Sequence, residues 1–376
     1  MTACDGCLRR AALLELLAPW VERARKPNRR RLPEVLALSD DELIGALCGT
    51  KRAEVDRPLA RFDPAHARAR AEAAGIDVVC RHAPRYPRLL AHAADAPAAL
   101  HLIGDGALLE RATRDGAVAI VGSRRASSYG IEMATSLARD LAACDVPVVS
   151  GMAYGVDSAA HAGALAAGGP TVAVMPGGAD LAYPPGKRCL HEQLKTCGLV
   201  VSEMPTGMRP FRWSFPARNR IMAALARMTI VVEGTEGSGS LITASFAQDL
   251  GRDVGAVPGQ ATSPLAAGPN RLLSEGAAVV RSASDVLDAL FGPGKRSLPV
   301  AGSGATRTGA AAPHPALAAR LEPRLRRLLQ SVETGIGSVE GLAEGTDVAD
   351  ALAGLSELEF LGFVGRGPGG DYVRRV

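Results

Sequence analysis

The sequence predicts an α/β protein: a doubly wound, Rossmann-like parallel sheet core, a small helical N-terminal domain and a winged-helix-like C-terminal domain. Three observations lead there. From about residue 116, short runs that are apolar at every position recur, each followed by a loop and a helix-like segment. Strands without polar alternation are buried on both faces, as in a parallel sheet covered by helices. Before them, residues 1 to about 75 alternate short apolar runs with polar breaks. After about residue 291 the chain turns rich in Gly, Ala and Pro, then resumes helical periods and ends in short strand-like runs around a Gly-rich turn.

In chain order, ALLELLAPWVERA, PEVLALS and DDELIGALCG read as short helices of a domain over 1–75. Ser39, with Glu42 three residues on, has the pattern of a capping box. Six basic residues fall between Arg23 and Arg31, which suits either a solvated loop or a DNA-facing one. The core is expected over 76–290. Its strands are AVAIV at 117–121, PVVS at 147–150, TVAVM at 171–175, LVVS at 199–202, MTIVV at 228–232 and DVGAV at 253–257. Its last helix is SDVLDAL at 284–290. Of the 25 residues from 291 to 315, fourteen are Gly, Ala or Pro, which predicts a flexible linker. Over 316–376, three helical runs and a hairpin-like ending form a winged-helix pattern. Its third helix carries Asp347, Asp350, Glu357 and Glu359 and no Lys or Arg. Acidic groups face phosphates badly, so a protein-interaction or vestigial role is favoured there over duplex binding.

Composition excludes several classes. The chain has 43 Lys+Arg against 39 Asp+Glu, a net charge of +4, so any anion-binding function must come from local clustering. The stretch from Ser158 to Ala179 is uncharged but holds His161, Pro170, Pro176 and several Gly, which fits a β-α core rather than a membrane span. MTACDGCLRR has no apolar core of a leader, and the seven scattered Cys suggest a reducing, cytoplasmic setting. Cys4 and Cys7 form a CxxC, but no second CxxC or HxxxH follows at zinc-finger spacing. The expectation is therefore no metal, with two free thiols near a frayed terminus.

In parallel sheets, ligands bind beyond the carboxyl ends of the strands, near the switch point. The loops there read VGSRRASSYG, SGMAYGVDSAAH, MPGGADLAYP, SEMPTG, VEGTEGSGSLITA and VPGQ. Their small residues allow close approach to phosphate, and helix N-termini offer free N–H groups. Neither GxGxxG nor GxxxxGK[ST] occurs at these loops, which argues against a dinucleotide or P-loop cofactor. Over 204–232 there are five Arg and no acid in 29 residues, with Phe211, Trp213 and Phe215 interleaved. Rings that stack on unpaired bases beside guanidiniums that hold phosphates are the chemistry of single-strand binding. The alternative is that the rings are core and the Arg stems cover apolar surface.

The runs AVAIVGSRRASSYG, VVSGMAYGVDSAAHAGAL, VSEMPTGMRPFRWSFPARNRIMAAL, EGSGSLITASFAQDLGRDVGAVPG and GPNRLLSEGA, with YPRLL at 86–90 ahead of them, resemble the DprA/Smf family of DNA-processing proteins, closely over 86–290. The resemblance implies a protein that binds single-stranded DNA, dimerises through its Rossmann-like domain and loads the RecA recombinase in natural transformation. It implies no catalytic residue, cofactor or metal, and no membrane association. Carried over residue by residue, it assigns DNA contacts to Gly122, Ser123 and Arg124, to Lys187 and Arg212, to Phe215, Arg218, Asn219 and Arg220, and to Ser240 and Thr243. The helical spacing of Leu241, Ile242 and Phe246 suits either a dimer surface or sheet packing. Two rival functions remain. A phosphoribohydrolase would share Pro176-Gly177-Gly178, but the continuation ADLAYP lacks its GTxxE carboxylate, and His161, Asp157 and Glu203 show no paired nucleophile. A winged-helix regulator would need a basic reading helix.

Overall fold

The computed structural model describes residues 3–24, 32–114, 116–296, 322–333, 348–360, 363–366 and 372–374. The chain divides into two compact units, Met1–Pro299 and Val300–Val376. The basic run at 25–31, most of the 291–315 segment and the helix expected at SVEGLAEGT lie outside the described residues.

The first unit opens with α1 (Asp5–Ala24), α2 (Leu32–Ala37), α3 (Asp40–Cys48), α4 (Ala53–Ala60) and α5 (Pro64–Ala73). The capping box is present: Ser39 Oγ accepts from Glu42 N, and the Glu42 carboxylate accepts from Ser39 N at 3.0 Å. Leu13, Leu14 and Leu17 of α1 pack with Leu43 and Ile44 of α3 and Val55 and Leu59 of α4. The same cluster includes Met204, Met208 and Trp213 from the middle of the chain.

The core then runs β1 (Asp77–Cys80), α6 (Arg88–Ala91), β2 (Ala99–Gly104), α7 (Ala107–Arg114), β3 (Ala117–Val121), α8 (Ser128–Ala143), β4 (Val148–Ser150) and α9 (Val156–Ala166). It continues with β5 (Thr171–Met175), α10 (Arg188–Cys197), β6 (Leu199–Ser202), α11 (Ser214–Leu225), β7 (Ala226–Val231) and α12 (Gly239–Asp249). It closes with β8 (Asp253–Ala256), α13 (Ala267–Ser274), β9 (Ala278–Val279) and α14 (Ala283–Phe291). The sheet order is β1-β2-β6-β5-β4-β3-β7-β8-β9. From β6 to β9 every pairing is parallel. Alternate residues of β3 face opposite layers: Ala117, Ala119 and Val121 meet α7, α11 and α12, while Val118 and Ile120 meet α8, α9 and α14. That two-sided burial is why the strands read as unbroken apolar runs.

All six expected strands are present. The sequence reading missed β1 and β2, which extend the sheet antiparallel beyond β6, with Val79 opposite Leu100 and Leu102 opposite Val201. β1 has only four residues, and the buried His101 interrupts the apolar run of β2. The sheet is therefore mixed, with a parallel body and an antiparallel edge.

In the second unit, α15 (Pro323–Glu333) and α16 (Val348–Phe360) pack with an antiparallel hairpin of β10 (Val364–Arg366) and β11 (Tyr372–Arg374) around Leu325, Leu355, Phe363 and Tyr372. Asp350 and Glu357 of the acidic helix α16 both pair with Arg324 of α15, the latter at 3.5 Å. Part of its acidity is thus neutralised within the unit. Among the described residues, no helix is long and apolar enough to cross a membrane.

Candidate nucleic-acid interface

The sheet order reverses between β3 and β7, and the loops leaving the carboxyl ends of the two strands diverge there. Beyond that edge lies a cavity of about 600 Å³. The loop after β3 supplies Gly122 and Arg124, the turn after β4 Ala153 and the start of α9 Asp157. Helix α11 lays Phe215, Arg218, Asn219 and Met222 along it, and the first two turns of α12 bring Gly239, Ser240 and Thr243. Arg212 and Tyr183 complete the wall.

The loops can come this close because glycine stands where they cross. Gly155 has φ 75°, and a Cβ there would strike the carbonyl of Ser123. A Cβ on Gly151 would occupy the position of the Arg218 guanidinium. Ser238 caps α12 by accepting from Ser240 N at 3.3 Å, so the positive end of that helix opens onto the cavity.

The expected contact residues divide by burial. Arg124 and Arg212 are exposed. The Arg124 guanidinium lies over the Phe215 ring, 5.1 Å from its centroid, and Phe215 meets Tyr183 edge to face at 5.3 Å. Ser123 adjoins the cavity without lining it; its Oγ accepts from Arg125 N at 3.1 Å and fixes the turn. Arg218 is buried but reaches the wall. One guanidinium nitrogen donates to the carbonyls of Gly151, at 2.5 Å, and Val174. Its other terminal nitrogen is 3.8 Å from Asp157 Oδ2, and Nε donates to Asn219 Oδ1 at 3.0 Å. Burial lowers the Arg218 pKa to about 10, still cationic at neutral pH, and burial raises that of Asp157 against the pull of Arg218. Asn219 donates to the Gly239 carbonyl at 3.3 Å, tying α11 to α12. Ser240 Oγ lies 2.8 Å from Ser238 Oγ, and the buried Thr243 Oγ1 has no hydrogen-bond partner.

Two further expected contacts are not part of the cavity wall. Lys187 is half-buried, its pKa lowered by that burial, and its ammonium sits 5.8 Å from the ring centroid of the exposed Tyr154. Arg220 is 3% exposed and turned away from the cavity. It donates to both oxygens of Glu203 at 2.8 and 2.9 Å and lies 3.0 Å from Asp95. Its charge is engaged inside the protein, which corrects its assignment as a phosphate contact.

Of the three interleaved aromatics, only Phe215 reaches the cavity. Trp213 is 1% exposed and donates from Nε1 to the Ala18 carbonyl at 3.1 Å, and Phe211 packs against the same N-terminal cluster. The sequence reading passed over Tyr183 and Tyr154, although both stand in loops it singled out and aromatics are only 4% of the chain. Leu241 and Phe246 of α12 are buried in the sheet core, and Ile242 packs partly buried against it. His161 is fully buried against Thr171 at 2.8 Å, and Glu203 belongs to the Arg220 cluster; with Asp157 they form no common acid–base site. One group among the described residues has metal-ligand chemistry: Cys4, Cys7, Cys80 and His82, at the far edge of the sheet by β1.

A family profile described as DNA recombination-mediator protein A matches residues 77–291. Protein Smf of Synechocystis is 35% identical over 312 residues, covering 78% of each chain. The crystal structure of DNA processing protein A from Streptococcus pneumoniae superposes with a TM-score of 0.61 at 32% identity, over 76% of this chain and 98% of that one. The solved structure of DNA processing protein A from Helicobacter pylori, described for its single-stranded DNA binding mode, gives 0.51 at 29% identity, over 58% of this chain and 97% of that one.

Proposed function

This chain belongs to the DNA recombination-mediator protein A family, and from that premise we propose that it binds single-stranded DNA, without catalysis, in the cavity beyond β3 and β7. The observation that carries the reading is the wall of that cavity. Three arginines, Arg124, Arg212 and Arg218, share it with the N-terminus of α12 and a single carboxylate, Asp157, which faces Arg218. Guanidiniums and a helix N-terminus suit phosphate. Phe215 and Tyr183 offer ring surface beside them, and only an unpaired base can lie flat on a ring. Gly122, Ser123 and Asn219 shape the backbone around that track, Ser240 and Thr243 add hydroxyl groups, and Lys187 with Tyr154 extends it.

The family likeness supports a wider role. The protein protects the strand and loads the RecA recombinase onto it in the cytoplasm during transformation and recombination. It does so as a homodimer, whose two linked sites gain about 10²–10⁴ in avidity on a long strand. A hydrolytic reading finds little support in the cavity. The hydroxyl of Ser240 meets Ser238 rather than a base, and Asp157 is held by Arg218.

The test is fluorescence anisotropy of the full chain with an oligothymidylate and with a blunt duplex of equal length, across a salt series. Tighter binding of the single strand, with affinity falling as salt rises, is expected. Equal affinity for the two would refute the proposal, as would release of a nucleoside monophosphate from either.

A further inference from the structure

Cysteines 4 and 7 are not loose thiols at a frayed end. Cys7 is buried, and with Ala3 and Leu8 it shares an apolar cluster with Ile76, Val78 and Cys80. Packing of the start of α1 against the edge strand β1 brings together a Cys-x-x-Cys pair and a Cys-x-His pair from distant parts of the chain. The Sγ atoms of Cys4 and Cys7 each lie 3.4 Å from His82 Nδ1, and the four donor atoms of Cys4, Cys7, Cys80 and His82 are all within 4.8 Å of one another.

We propose that these four residues bind one zinc ion in a closed, structural site. With Zn–S near 2.3 Å and Zn–N near 2.0–2.1 Å, a tetrahedral Cys₃His site has S···N edges of about 3.6 Å and S···S edges of about 3.8 Å. The observed 3.4 Å contacts fall two tenths of an ångström from that edge, and the 4.8 Å limit leaves a contraction of at most about one ångström. Three thiolates and an imidazole are a soft donor set that selects zinc over the hard cations. Four protein ligands leave no open position, which makes the site structural rather than catalytic. Cys4 and Cys7 sit at the N-terminus of α1, where the positive helix end favours thiolates. The exposed Cys4 and His82 leave a path for the ion, while Cys7 and Cys80 anchor it from within. No disulfide involves any of the seven cysteines.

Placed there, the metal ties α1 to the outermost strand of the sheet. Arg68 of α5 reinforces the same corner: it donates to the Ala3 carbonyl at 3.0 Å and pairs with Asp5. The site is hidden in the sequence because no second pair stands at zinc-finger spacing from Cys4 and Cys7. The partner pair stands at the carboxyl end of β1, a four-residue antiparallel edge strand too short to show a period.

The test uses the full chain, purified under reducing conditions without chelator. Elemental analysis should find one equivalent of zinc per chain. Replacement by cobalt should give the visible bands of a tetrahedral ion and near-ultraviolet thiolate-to-cobalt charge transfer. Cys4→Ser and His82→Ala, both at exposed positions, should each lose most of the metal, and Cys189→Ser, outside the group, should keep it. A reduced wild-type chain that stays free of zinc and cobalt when both are offered overturns the proposal. So does metal retained in full by both Cys4→Ser and His82→Ala.

Discussion

Replacing Arg220 by alanine separates a structural arginine from a DNA contact. The substitution strands two carboxylates. Glu203, 5% exposed, loses the donor that met both its oxygens. Asp95, whose side chain is 11% exposed, loses an ion pair at 3.0 Å that is off hydrogen-bond alignment. Removing one partner of a buried pair costs about 3–5 kcal/mol, because the charge left behind is no longer compensated. For a unit the size of Met1–Pro299, at roughly 2 °C per kcal/mol, the melting temperature should fall by about 6–10 °C. Arg220→Met combined with Glu203→Gln and Asp95→Asn should recover much of that loss, since no buried charge remains. Differential scanning calorimetry supplies the stability, and anisotropy below the transition supplies the salt dependence of DNA binding. The slope of log affinity against log salt should match wild type in the folded Arg220→Ala chain. An unchanged melting temperature together with a slope lower by about 0.7, the loss of one single-strand phosphate contact, would refute the reasoning.

The exposed Arg124 should behave in the opposite way: Arg124→Ala should leave the melting temperature within about 1 °C and lower the salt slope by about 0.7, and an unchanged slope and affinity would reduce it to a surface charge. Phe215→Ala should weaken single-strand binding by about 1–3 kcal/mol with little thermal effect. Trp213→Ala should instead destabilise the fold by about 3–5 kcal/mol, so calorimetry and anisotropy on the pair must rank them in opposite order. Burial lowers the pKa of His161 from its ordinary value of 6.5 to about 3, so the unfolded chain takes up a proton that the folded chain refuses. Wild-type stability from this group is therefore full above pH 6.5 and is lost as pH falls toward 3, at about 1.4 kcal/mol per unit. In urea titrations, the deficit of His161→Gln relative to wild type should be constant above pH 7 and narrow below 6.5; a deficit independent of pH refutes the assignment.

The parallel body of the fold was legible because two-sided burial leaves an unbroken apolar run, as in AVAIV and TVAVM. The antiparallel edge was not, because Asp77–Cys80 is too short to show a period and His101 sits inside the apolar run of β2. The edge of the sheet that holds the cavity followed from topology alone, and four of the six loops named from sequence supply lining residues, while SEMPTG and VPGQ do not. What composition could not do was sort the arginines and aromatics crowded between 209 and 220, since the same residue types serve the cavity and the core. The helix period sorts part of them. On α11, Phe215, Arg218, Asn219 and Met222 stand at i, i+3, i+4 and i+7 and share one face, the face that lines the cavity. Arg220 is two residues from Arg218, about 200° around the helix. The two cannot point the same way, and Arg220 meets Glu203 and Asp95 while Arg218 meets Gly151 and Asp157. For the residues from Phe215 to Arg220 the separation of contact from core was thus present in the sequence, and needed only the knowledge that one helix, Ser214–Leu225, carries them.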